Sequence, residues 1–449
     1  MGEIRNGRRP MRLLLREHGK RGGIETVNIH LIREFTELVE RVVWIVPGER
    51  MKFFQQILPP SDRLIYERPY DRRPPRLTNI LRKVTPANVR KKLRPARFAL
   101  HDMRDALRES TPGRLHKEAF QNIRQKLFEL WLRQLIRRHH ITHCFCNWTF
   151  CLDVPRIDIP IGVMLMDVRW KRFPETFPQL DIDAADQKFR DWLTKASVVF
   201  PVSETTASDI RQFYPSHAAR ARVVPHGAES NGRHCADYAP LGATPDRRCM
   251  FFYPGAANAH KNHITLFRAC AELFAKGLDF EVVLTGFGTQ GFDSNLRNGE
   301  WPSNGEAAVD HARIFLRENA QLFRGRIKAL GYVEPVEINR LYDDCSAVVL
   351  PSLFEGFGLP LLEALQKGVP VICSDIPAHG EQLSRYQCRD QVTVVPSSDV
   401  AALAAEMEKI VTNGAALRHR PPSALQQWTW RDAAEAYIDS LAAVTPHRQ

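Results

Sequence analysis

A chain of 449 residues exceeds what a single hydrophobic core usually serves, so two domains are expected. Its composition, 44% hydrophobic, 25% charged and 9% aromatic, excludes a disordered chain, and the lack of any membrane-length apolar run or signal-peptide core makes the cytoplasm the expected compartment. The formal net charge of +12 is concentrated in residues 63–117, where 16 Lys and Arg stand against 5 Asp and Glu.

From the N-terminus, short runs rich in Val, Ile and Leu alternate with longer amphipathic segments, the rhythm of βαβ units, and predict the α/β class. In the first half Met11–Leu15, Val42–Val46, Ile161–Leu165, Val198–Val202 and Val223–Val224 read as strands, with Gly22 and Gly23 following the first. The basic segment 63–117 contains Pro69, Pro74, Pro75, Pro86, Pro95 and Pro112, and is expected as a long loop or loosely helical insertion without a packed strand. Its charge suits a polyanion, with peripheral contact to an anionic membrane as one reading and a merely solvated insertion as the other. Nucleic acid is not expected, since no helix-turn-helix, zinc finger or RNP-like strand accompanies the arginines. Cys144, Cys146 and Cys151, preceded by His139, His140 and His143, lack the paired C-x-x-C spacing of a structural zinc site, so no metal is expected.

Residues 227–248, interrupted by Gly227, Asn231, Gly232, Pro240, Gly242 and Pro245, read as a linker. Beyond it Met250–Tyr253, Val282–Thr285, Ala347–Leu350, Val369–Cys373 and Val392–Val395 are expected strands. Ile264–Lys276 places Phe267, Cys270, Ala271 and Phe274 on one helical face and ends at Gly277. The stretch 289–324 around WPSNGE reads as an insertion. Two doubly wound sheets joined in this way leave a cleft, with ligands at the carboxyl ends of their strands.

The segment Leu350–Asp375, LPSLFEGFGLPLLEALQKGVPVICSD, runs strand, glycine loop, helix, strand. Gly356 and Gly358 permit unusual backbone angles, and Pro360 suits a first helical turn whose free amides bind phosphate. Glu363 then stands one turn into the helix, where a carboxylate accepts hydrogen bonds from ribose hydroxyls, while Glu355 precedes the loop and faces the sugar hung from that phosphate. In Tyr253–His263, YPGAANAHKNH, Lys261 follows a strand and opens a helix, a place from which it neutralises a diphosphate.

Lys261 with Asn262, Gly286 and Gly288 after a strand, Gly331, and the E-x7-E spacing of Glu355 and Glu363 within FEGFGLPLLEA resemble glycosyltransferase family 4, also called glycosyl transferases group 1. The resemblance implies the GT-B fold: an acceptor-side Rossmann-like domain at 1–226, the linker 227–248, a nucleotide-sugar domain at 249–425, and a helix in 426–449 returning to the first domain. It implies retaining transfer of a hexose from a nucleoside-diphosphate sugar to a glycan or lipid-linked glycan acceptor in surface polysaccharide assembly. Neither metal nor other cofactor is expected, and the lean is towards mannose from GDP-mannose. Carried over, Glu355 is the acid near the transferred sugar, Glu363 the ribose ligand and Lys261 the cation for the departing diphosphate. Gly356, Phe357, Gly358 and Leu359 offer amides to the donor, Tyr332 and Val333 border the base, and Gly286 and Gly288 shape the nucleotide pocket. More weakly, Gly22 and Gly23 resemble the family's glycine loop facing the donor phosphates, and Asp167 resembles the aspartate of its His-Asp pair. Met166 stands where that histidine is expected, and Gly255 or Ala256 where many members carry an arginine. The competing readings are a non-catalytic GT-B protein binding a sugar nucleotide or polysaccharide, and a GT-B nucleotide-sugar epimerase.

Overall fold

The computed structural model describes residues 9–16, 22–68, 111–147, 154–177, 181–229, 248–292, 305–413 and 419–444. Apolar runs such as Leu13–Leu15, Val42–Val46, Phe251–Tyr253 and Ala347–Leu350 are buried on both faces, as strands of a parallel sheet covered by helices must be. In chain order β1 (Arg9–Arg16), β2 (Val39–Ile45), β3 (Leu64–Glu67), β4 (His143–Cys146), β5 (Ile161–Leu165) and β6 (Val198–Pro201) build one parallel six-stranded sheet, ordered β3-β2-β1-β4-β5-β6. The second sheet takes β7 (Cys249–Pro254), β8 (Phe280–Thr285), β9 (Ile327–Ala329), β10 (Ala347–Leu350), β11 (Val371–Ser374) and β12 (Val392–Val395) in the order β12-β11-β10-β7-β8-β9. Each sheet winds outward from its first strand and then returns to the other side. This puts topological switch points between β1 and β4 and between β7 and β10, where the loops diverge and a crevice opens.

Several expectations change. Val223–Val224 is not a strand; it runs extended beside β6, with Val224 N–H donating to the Pro201 carbonyl at 3.0 Å. Three short strands, β3, β4 and β9, lie where no alternation was legible, and β11 begins only after Pro370. The basic segment 63–117 is not loop throughout: β3 lies near its start and the helix Thr111–His139 begins before its end, while residues 69–110 lie outside the described residues. Of the stretch 289–324, residues 293–304 lie outside the described residues. Its helices Ala307–Glu318 and Ala320–Phe323 bury Val309, Ala312, Leu316 and Phe323, forming the crossover that any parallel β8–β9 pair needs. Of the linker, residues 230–247 lie outside the described residues. Cys144 and Cys146 are buried within β4, and His139 bonds Glu67 at 2.9 Å; Cys151 lies outside the described residues.

The helix Trp430–Ala442, closed at its start by a capping box of Thr429 and Asp432, packs on the first sheet. Tyr437 meets Phe145 and Phe200 edge-on at 5.0 and 4.8 Å, and Leu441 fills the space above Gly162. Beside it the two chain crossings run together: Ala228 N–H donates to Trp428 O and Trp430 N–H to Ala228 O, both at 3.0 Å. Because Leu441 is fully buried, Leu441→Ala is expected to cost about 2–5 kcal/mol, read by urea denaturation; a loss below about 0.5 kcal/mol would mean that the helix does not hold the first domain.

Candidate donor and active site

Lys261 and Glu355 lie on the loops that leave β7 and β10, the two strands flanking the switch point of the second sheet. After β7 the chain makes a short 3-10 turn, Ala259–Lys261, and reverses through Asn262, whose φ of 54° is left-handed, into the helix His263–Ala275. The Asn262 side chain is occupied structurally: its Nδ2 donates to Pro351 O at 3.0 Å and its Oδ1 accepts from Thr265 Oγ1 at 2.9 Å. It thereby ties the lysine loop to the end of β10. Lys261 Nζ donates to Glu355 Oε1 at 2.6 Å, and Ser352 Oγ donates to the same oxygen at 2.7 Å. Burial alone would push the Glu355 carboxyl up; the Lys261 charge and hydrogen bond, aided by His379 and Ser352, hold it below the usual carboxylate value.

The helix Leu359–Gln366 starts after Gly358, whose φ of 90° suits glycine, with Pro360 in its first turn. Gln382 Nε2 donates to the Phe357 and Gly358 carbonyls at 2.5 and 3.0 Å, which turns the following N–H groups away from it. Packing holds Gly356 to glycine: a Cβ there would collide with the Met166 carbonyl of the first domain and stand 3.2 Å from Asp167 Cβ. Asp167 thus faces the Glu355–Gly358 loop, and its Oδ1 accepts from Arg169 N–H at 3.0 Å. The Gly22–Gly23 turn meets the start of the same helix, since a Cβ on Gly23 would lie 3.4 Å from Leu359 Cδ1. His379, fully buried, donates by Nδ1 to Ser374 O at 2.9 Å; burial lowers its pKa, against the pull of Glu355.

Glu363 points along this helix to Tyr342, whose hydroxyl donates to its Oε2 at 2.7 Å. Burial raises the Glu363 pKa; the Tyr342 bond opposes that, and repulsion from Glu229 adds to it. At the outer strands Gly286 N–H donates to Gly331 O at 2.7 Å, and Thr289 Oγ1 accepts from Gly331 N–H at 3.1 Å, binding the loops after β8 and β9 together. Gly288 belongs to that tied turn, and Tyr332 and Val333, half-buried, continue from Gly331 along the same edge. Ser352, Tyr342, His379 and Gln382 were not singled out in the sequence. They act through contacts between loops, and no spacing rule marks such partners.

Residues 242–428 match the family model described as glycosyl transferases group 1. The chain carries a glycosyl transferases group 1 domain on a GT-B fold. Among solved structures, HepE from Anabaena, crystallised with UDP and glucose, superposes with a TM-score of 0.58 over 97% of this chain and 100% of that one, at 14% identity. Sucrose-phosphate synthase from Thermosynechococcus elongatus gives 0.62 over 96% and 100%, at 16% identity. At these identities the likeness speaks for the GT-B fold alone. The serotype-specific mannosyltransferase WbdA of Escherichia coli is 25% identical over 60% of this chain, and the match spans 32% of that protein, about a third of its length. O-antigen chain mannosyltransferase B of Escherichia coli is 35% identical over 25% of this chain and 24% of its own. The matched region of the group 1 domain contains Lys261, Glu355 and Glu363.

Because the Lys261–Glu355 pair is almost fully enclosed, removing one partner strands the other charge. Lys261→Met is expected to cost about 3–5 kcal/mol, and Lys261→Met combined with Glu355→Gln less than either single change. The carboxylate's contribution is present above its ordinary unfolded pKa and is lost as pH falls through its lower folded value, so below about pH 4 wild-type stability should fall more steeply than the double variant's. Additive losses in urea melts would show that the two residues are not coupled.

Proposed function

We propose that this chain transfers a hexose from a nucleoside-diphosphate sugar to a glycan or lipid-linked glycan acceptor, with retention at the anomeric carbon as in glycosyltransferase family 4. The supporting observation is the Lys261–Glu355 pair at the switch point of the second sheet, followed by a glycine loop and helix start that meet Asp167 and the Gly22–Gly23 turn of the first domain. In this reading the donor diphosphate lies over the start of the Leu359–Gln366 helix, where free amides, the helix dipole and Lys261 stabilise the departing charge. The reaction is read as taking no metal, as the resemblance to family 4 implies, and the sugar nucleotide as a co-substrate. Glu355, held ionised, lies opposite the positive charge that develops at the anomeric carbon. The acceptor hydroxyl attacks from the face the leaving group departs, and Asp167 borders that side of the cleft.

Glu363 receives the ribose hydroxyls, with Tyr342 fixing one of its oxygens. Mannose is the proposed sugar and surface polysaccharide the proposed product, by analogy with the mannosyltransferases that the chain partly matches. The basic segment 63–117 is proposed to bring a lipid-linked acceptor to the cleft by contact with an anionic membrane on the cytoplasmic side, on its charge alone.

The test is a thermal-shift series of the whole chain with GDP, UDP, ADP and their sugar conjugates. One base is expected to stabilise the protein, and Glu363→Gln to abolish most of that shift. Since the ionised Glu363 accepts both hydroxyls and its pKa is raised, the shift should fade on acidification at a higher pH than an ordinary carboxylate would dictate. Stabilisation by no nucleotide at any pH would refute the transferase reading.

A further inference from the structure

The turn Arg169–Arg172 of the first domain carries three cations, and two have carboxylates: Lys171 Nζ lies 3.0 Å from Asp186 Oδ2, and Arg172 Nε donates to Asp209 Oδ1 at 2.8 Å. Arg169 has none among the described residues. Its guanidinium crosses the cleft to the His260 ring, with Nη1 2.9 Å from Nε2, and its Cζ lies 4.7 Å from the centre of the Phe177 ring. Its Nε is buried without a hydrogen-bond partner. His260 cannot serve as a counter-ion: burial, then Arg169 and Lys261, push its pKa well down, so the ring is neutral. His260 precedes Lys261 directly, and its carbonyl accepts from Leu353 N–H at 2.8 Å, so the ring that Arg169 meets belongs to the same short turn as Lys261 and is tied to the loop that carries Glu355. Phe173 and Phe354, 5.7 Å apart, close the same side of the cleft.

The Lys261 charge is already matched by Glu355, so the pair is close to neutral and a diphosphate arriving there needs another cation. We infer that Arg169 is that cation, a ligand for the donor diphosphate supplied by the domain opposite the nucleotide-binding sheet. The inference rests on the transferase reading above. A guanidinium presents its donors as a planar fork that fits two phosphate oxygens, and His260 with Phe177 holds the fork in place before the ligand arrives. Donor binding and apposition of the two domains then become one event, because the diphosphate is gripped from both sides.

Calorimetric titration of the whole chain with GDP, UDP and ADP, and with guanosine, uridine and adenosine, tests this. Arg169→Met is expected to weaken the bound diphosphate by roughly 10- to 100-fold while changing the matching nucleoside by less than about twofold. Arg169→Lys, which keeps the charge without the fork, should lose less of the same ratio. Equal losses for diphosphate and nucleoside, or an unchanged ratio in both variants, would overturn the inference and assign Arg169 to scaffolding. Should Arg169→Met not fold, the Arg169→Lys ratio decides by the same criterion. If the unaltered chain binds no diphosphate, the transferase reading itself fails, a result distinct from either.

Discussion

An ion pair buried at the mouth of a parallel sheet organises this molecule. Lys261 and Glu355 come from loops 94 positions apart in sequence, and enclosing both charges is tolerable only because each satisfies the other and Ser352 completes the carboxylate. Everything near them serves that geometry. Asn262 clips the lysine loop to Pro351, Tyr253 donates to the Lys261 carbonyl at 2.5 Å, and Gln382 pins the glycine loop that follows Glu355. The pair is thereby held by hydrogen bonds from three directions.

The two domains meet through main-chain contacts as well as side chains. Ser203 Oγ donates to Gly356 O at 2.5 Å, and Thr206 Oγ1 donates to the same carbonyl at 3.4 Å, stitching a helix start of the first domain to the glycine loop of the second. Glu381 reaches back to accept from Glu204 and Thr205 N–H groups at 2.9 and 3.2 Å, a carboxylate at the positive end of a helix. Contacts of this kind are directional and few, and the paired crossings at Ala228 and Trp428–Trp430 leave a short double strap between domains.

The arrangement also explains why Met166 is compatible with the site. At this position the chain uses its carbonyl, which accepts from Thr206 and lies against Gly356, so the backbone carries the contact between domains whatever the side chain. Asp167 next to it holds the Arg169 turn through a backbone hydrogen bond, placing the arginine at His260.

The amino-acid sequence by itself determined the α/β class, nine of the strands from their buried apolar runs, and the group 1 family likeness carried by Lys261, Glu355 and Glu363, because hydrophobic periodicity and glycine-proline punctuation act within a few residues of chain. It could not mark β3, β4 and β9, which are too short for a pattern, nor show that Ala307–Glu318 and Ala320–Phe323 are packed helices between β8 and β9. Tertiary structure alone decided which partners each charge meets. That Lys261 pairs with Glu355, that Tyr342 holds Glu363, that Gly356 is small for the sake of Met166, and that Arg169 arrives from the opposite domain are consequences of two sheets facing one another. Distances between residues far apart in the chain are set by packing, and no local spacing encodes them.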